Sequence, residues 1–184
     1  ADKPDDGPSP VRTPWRRARI IVTCALTLWA GGIAALVLHF GWSHAYAQMA
    51  WFFTKAALLT FGGAYAVLPY VYQGAVESYQ WLSGPQMIDG LALGETTPGP
   101  LIMVVAFVGF VGGWLKQVLG PESLFLGGAL AAAVVTFFTF LPSFVFILAG
   151  GPLVESTHGR LGFTAPLSAI TAAVVGVILN LALF

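Results

Sequence analysis

The sequence predicts an all-α integral membrane protein. It would have about five transmembrane helices plus one or two re-entrant or interfacial helices, with helices broken at glycine- and proline-rich motifs. Three observations predict it. Of 184 residues, 57% are hydrophobic and 9% charged, against about 25% charged in an ordinary soluble domain. Mean hydropathy is +0.81. Half of the sixteen charges fall in the first nineteen residues (Asp2, Lys3, Asp5, Asp6, Arg12, Arg16, Arg17 and Arg19), which leaves long uncharged runs behind them. Such a chain lacks the polar surface of a soluble enzyme, a nucleic-acid binder or a disordered tail. Eight acidic residues balance eight basic ones, so net charge steers no polyanion. Cys24, the single cysteine, lies in an apolar run, which removes disulfides and cysteine-based metal sites.

Residues 1–19 contain Pro4, Pro8, Pro10 and Pro14 among the charges and read as an exposed linker or tail. Residues 20–184 form the membrane domain. Ile20 to Phe40 carries no charge and is long enough to cross a hydrocarbon core of about 30 Å. The arginines ahead of it place that end in the cytoplasm by the positive-inside rule. Ala50 to Tyr72, Leu101 to Leu119, Leu124 to Leu148 and Ala165 to Phe184 are the further expected spans. Pro85 to Leu93 is too short to cross and suits a re-entrant half-helix, while Pro152 to Phe163 reads as interfacial or loop. A start at Ala1 and an end inside an apolar run lead us to expect a piece of a longer chain, truncated at its C-terminus.

Gly94-Glu95-Thr96-Thr97-Pro98-Gly99-Pro100 carries the most information. Two prolines and two glycines in seven residues cannot continue a helix. Threonine hydroxyls and a first-turn proline ahead of an apolar run nevertheless make a good helix start, here at Leu101. Irregular backbone at membrane depth is tolerated only against protein or a water-filled cavity. Free N–H groups at a helix start are a ready anion site, and broken helices hold substrates near the midplane of many secondary transporters. A plain loop between two helices is the bland alternative.

Phe61-Gly62-Gly63-Ala64 is a second interruption, which marks either an unwound point or a close helix approach. Thr60, Tyr65, Tyr70 and Tyr72 could line the same cavity with hydroxyls or sit in an interfacial belt. Glu95 is the ionisable group nearest the break and a candidate proton carrier. Asp89 could face the cavity from the short helix. Lys55 and Lys116 are explained by snorkelling, although an anion path would benefit from either. His39, His44 and His158 lack metal-ligand spacing and read as interfacial.

Phe61-Gly62-Gly63-Ala64-Tyr65-Ala66-Val67-Leu68-Pro69-Tyr70 and Glu95-Thr96-Thr97-Pro98-Gly99-Pro100-Leu101-Ile102, in this order, resemble the chromate ion transporter family. The stretch Trp81 to Gly94 and the closing Ala172 to Asn180 resemble it too. The likeness runs from about residue 50 to the end and is greatest to the C-terminal half of a long member, whose two halves are inverted repeats. The resemblance implies a multi-pass inner-membrane transporter that exports chromate, with sulfate as a close analogue, and implies no cofactor and no enzymatic activity. It also implies that the partners are the oxyanion, the lipid bilayer, and either the N-terminal half of the same transporter or a second copy. The expected substrate-binding residues are Phe61, Gly62, Gly63, Tyr65, Glu95, Thr96, Thr97, Pro98, Gly99, Pro100 and Leu101. A passive anion channel and a structural half-subunit of a membrane complex are the alternatives. An intramembrane enzyme comes last, since no serine has a convincing histidine partner.

Overall fold

The computed structural model describes residues 14–59, 64–96 and 103–156. Among them the chain is all-α, with six helices: α1 (Pro14–Phe40), α2 (Ala45–Leu59), α3 (Ala64–Tyr72), α4 (Gly84–Thr96), α5 (Val104–Leu115) and α6 (Leu124–Ser156). A wide π-helical turn, Gln73–Ser78, extends α3, and a 3₁₀ turn, Pro121–Ser123, leads into α6.

Helix α1 begins six residues before the apolar run, so residues 14–19, expected as linker, are helical. Pro14 opens it at a first-turn position, where a missing N–H removes no helical bond. Gly41 ends it at φ +86°, its N–H donating to the Val37 carbonyl at 2.8 Å. Helix α1 and the segment Pro121–Gly151 are the two stretches long and apolar enough to cross a membrane among the described residues.

The other four helices are half-length, and their contacts show why. Phe52 in α2 stacks on Tyr70 of α3 (4.9 Å, 10°) and lies against Gly74 of the π turn. Residues 52 and 74 would stand about 33 Å apart along one straight helix, so α3 runs back along α2. Gly90 of α4 likewise lies against the Phe107 ring of α5, where a straight helix would hold them about 26 Å apart. The chain thus folds into two helical hairpins, α2–α3 and α4–α5. The expected spans Ala50 to Tyr72 and Leu101 to Leu119 are corrected accordingly: each contributes to a hairpin whose arms are too short to cross. The expectation of a half-helix near Pro85 to Leu93 matches α4, which is 13 residues long. The expected fourth span and the start of the interfacial segment are one continuous helix, α6. The fifth expected span lies outside the described residues.

The hairpins are cemented by aromatic packing. Trp81, 1% exposed, stacks on Tyr79 (4.6 Å, 9°) and meets Phe52 edge-on at 5.5 Å. Around it close Met49, Phe53, Val71, Met87, Val104, Val105, Val108 and Val135. Helices α5 and α6 approach on a seam of small residues. A methyl group on Gly113 would stand 2.6 Å from Ala131 Cβ and 2.9 Å from the Gly127 carbonyl oxygen, and one on Gly109 3.0 Å from Ala132 Cα. This is the small-residue spacing that lets membrane helices touch at the backbone. The buried Tyr46 hydroxyl donates to the Gly127 carbonyl at 3.0 Å and pins α2 to α6. Trp29 Nε1 donates to Thr54 Oγ1 at 3.1 Å and pins α1 to α2. Outside this core Ile20, Leu26, Leu28 and Leu38 of α1 and Phe125, Phe144, Phe146, Ile147 and Leu148 of α6 are exposed, an apolar surface suited to lipid.

Candidate functional site: the hairpin tips

Helix α6 serves as a ruler for depth. Its first turns touch the beginning of α2 (Tyr46 to Gly127) and the end of α5 (Gly113 to Gly127 and Ala131). The end of α2 lies lower: Leu58 shares a groove with Leu141, Pro142 and Val145. Gly109 of α5 meets Ala131, Ala132 and Val135, and the start of α5 is about five residues, or 7 Å, further along α6. Both hairpins therefore rise from the face where α6 begins. The described ends of α2 and α5 thus reach a similar depth along α6, between about Val135 and Val145.

The two motifs singled out in the sequence belong to these far ends. Helix α2 ends at Leu59 and α3 starts at Ala64, so Phe61, Gly62 and Gly63 fall between the arms of the first hairpin and lie outside the described residues. Tyr65 is in the first turn of α3. Glu95 and Thr96 are the last two residues of α4. Thr97, Pro98, Gly99, Pro100 and Leu101 connect α4 to α5 and lie outside the described residues.

Some finer expectations change. Thr96 does not cap the helix that follows: its hydroxyl donates to the Ala92 and Leu93 carbonyls, both at 3.1 Å, closing the last turn of α4. Described α5 begins at Val104 after Met103, with no side-chain cap. Glu95 is exposed at the C-terminal end of α4, where the helix dipole is negative. Tyr70 and Tyr72 sit towards the hairpin bases, lining a groove with Pro69, Gln73 and Glu77. Lys55 places its ammonium 5.9 Å from the centre of the Trp51 ring, one turn back towards the α2 start, as a snorkelling lysine does. His44 Nε2 lies 3.3 Å from the Val118 carbonyl, tying two loops at the hairpin-base face.

The polarity of the tips follows from chain direction. In each hairpin the first arm ends at the tip and the second begins there. Each tip thus offers one helix C-terminus, α2 or α4, and one N-terminus, α3 or α5. In sequence the Gly-Gly motif directly precedes α3, and the Thr-Pro-Gly-Pro motif precedes α5 with residues 101–103 between; helix N-termini are the ends with unpaired N–H donors and positive partial charge. The first two residues of α5, Val104 and Val105, are buried.

Sequence reasoning missed three features. The hairpin reversal is a tertiary property. The α5 seam is readable as Gly109-x-x-x-Gly113 in an apolar run. The start of α4 carries the Ser83-x-x-Gln86 pattern of a capping box, of which the glutamine half is formed: Gln86 Oε1 accepts from the Ser83 N–H (2.8 Å) and also from its hydroxyl (2.9 Å).

A family model described as "Chromate transporter" matches residues 47–184. A chromate transport protein of Cupriavidus metallidurans is 35% identical over 132 residues, covering 71% of this chain and 29% of that protein. One of Pseudomonas aeruginosa is 35% identical over 162 residues, 88% of this chain and 35% of that protein. An uncharacterized transporter of Bacillus subtilis, YwrA, is 36% identical over 92 residues, 49% of this chain and 51% of it. The chain thus spans about a third of the chromate transport proteins it matches. No solved structure matches it.

Proposed function

The chain belongs to the chromate transporter family, and from that premise we propose that it forms the anion-holding portion of a secondary transporter that exports chromate or a sulfate-like dianion across the bacterial inner membrane by alternating access. The observation that carries this reading is that two half-length hairpins end at a similar depth along α6, with the glycine- and proline-broken motifs falling in sequence between the arms of each. A tetrahedral dianion needs several donors but must also leave. Backbone N–H groups at the starts of α3 and α5 supply donors and partial positive charge without a fixed cation. Phe61, Gly62, Gly63 and Tyr65 then line one side of the anion. Glu95, Thr96, Thr97, Pro98, Gly99, Pro100 and Leu101 line the other.

With Arg16, Arg17 and Arg19 exposed at the start of α1, the positive-inside rule places that end in the cytoplasm. Both hairpins then descend from the periplasmic face, and an inverted partner half, or a second copy, would bring matching tips from the cytoplasmic face to enclose the anion. Residues 165–184 would add a further span. Export of a dianion from a cell that is negative inside is favoured by about 4.6 kcal/mol per 100 mV, so no coupling ion is required. The family match and the two chromate transport proteins that are 35% identical over 132 and 162 residues support the substrate class.

The test is chromate accumulation in inside-out vesicles containing the whole transporter, against a Thr97→Val, Gly99→Leu variant. Saturable accumulation that sulfate reduces and the substitution abolishes is the expected result. Flux that is linear in voltage and never saturates would instead identify a channel, and unchanged accumulation would remove the anion from the second tip.

A further inference from the structure

A second polar feature lies far from the tips, at the hairpin bases. Val76, Gln80, Trp81, Leu82, Ser83, Gln86, Leu115 and Lys116 line a cavity of about 460 Å³ there. It is bounded by the π turn of the first hairpin, the segment joining the hairpins, the start of α4 and the end of α5. Its polar side chains are two carboxamides, a hydroxyl and an ammonium. The Gln86 carboxamide oxygen is taken up by both Ser83 bonds, which turns its amide NH₂, with two donors, away from the cap. Gln80 adds an exposed amide on a left-handed backbone (φ +52°). Lys116 follows α5 and is exposed. Among the described residues no carboxylate lines the cavity, and the nearby Glu77 lines the separate groove with Tyr70 and Tyr72. The Lys116 ammonium and the Gln86 NH₂ group, in a lining shared with apolar Val76, Leu82 and Leu115, suit an anion rich in acceptor oxygens.

We propose that the Gln80–Gln86–Lys116 cavity is a vestibular oxyanion site, where a tetrahedral dianion docks at the hairpin-base face before or after occupying the tips. It rests on the transport reading above and adds a second station on one face of the membrane. Lys116 acts there as a compact charge that raises local anion concentration, in a site open enough to water for salt to screen it.

The experiment uses oriented proteoliposomes containing the whole transporter, with chromate and sulfate as probes offered from each face in turn. Lys116→Gln is expected to raise KM on the hairpin-base face about tenfold, the loss of one charged hydrogen bond, with kcat unchanged and a weaker salt dependence. KM on the opposite face stays as in the wild type. Lys116→Arg restores the value. Gln86→Glu, which keeps the acceptor that caps α4 but replaces two donors by an anion, raises KM on the same face. Unchanged KM on that face in both Lys116→Gln and Gln86→Glu overturns the vestibular site, as does an equal rise on both faces, which marks a structural effect. Wild-type liposomes that carry no oxyanion overturn the transport reading itself, whereas saturable wild-type flux with indifferent variants overturns this inference alone.

Discussion

Gly74 and Phe52 decide whether the first hairpin exists. Gly74 is buried in the π turn, and the site a Cβ would take is already filled by the Phe52 ring. That ring cannot retreat, because it is 3% exposed and held by Tyr70 at 4.9 Å, Trp81 at 5.5 Å and Tyr79 at 5.7 Å. Gly74→Ala therefore overpacks the core and should cost about 1–3 kcal/mol. Phe52→Leu alone also destabilises, by loss of buried ring volume, but it empties the space the new methyl needs. The double variant should then be more stable than the sum of the singles by about 0.5–3 kcal/mol, as for residues in contact. Were α2 and α3 one continuous span, the two positions would be about 33 Å apart and their effects would add within about 0.5 kcal/mol. The assay is reversible unfolding in mixed micelles, followed by tryptophan fluorescence and by circular dichroism. A cycle that closes additively would refute the hairpin and return Ala50 to Tyr72 to a single span.

Two further substitutions test the packing around the hairpins. Gly113→Ala drives a methyl group into Ala131 Cβ and the Gly127 carbonyl, short of the ordinary carbon contact by about 1 Å. It should lower stability by about 1–3 kcal/mol in the same unfolding assay, whereas Gly31→Ala, with nothing within 4 Å, should be neutral or stabilising by up to about 1 kcal/mol. Equal effects would mean that α5 and α6 do not touch at this seam. Lys55→Met removes the cation over Trp51 and should cost about 0.5–1 kcal/mol, while the chromate flux proposed for the whole transporter persists. Loss of flux at unchanged stability would assign Lys55 to the anion path.

How far local chemistry carries is visible in particular residues. The helical class, the apolar character and the position of both interruptions follow from composition and from glycine and proline, because these act on the backbone wherever they occur. So does the donor-rich start of each second arm, since residues that cannot continue a helix leave the next one to begin afresh. The capping box at Ser83 and the small-residue spacing at Gly109 and Gly113 were equally local, and legible. The direction taken after Leu59 was not. An apolar run of 23 residues, Ala50 to Tyr72, satisfies the length of a span whether it crosses or doubles back. The choice rests on contacts between residues far apart in sequence: Phe52 with Tyr70, Gly74 and Trp81, and Gly90 with Phe107.

The sequence by itself determined an all-α membrane chain of the chromate transporter family and the two points at which its helices break. Only the tertiary structure decided that the pieces on either side of each break lie side by side, with the described ends of α2 and α5 at a similar depth along α6. The physical reason is that hydropathy records how much apolar surface a segment must bury, whereas topology depends on which partner buries it. Here the aromatic core around Trp81 makes the folded-back arrangement the one in which four half-length helices bury their faces together.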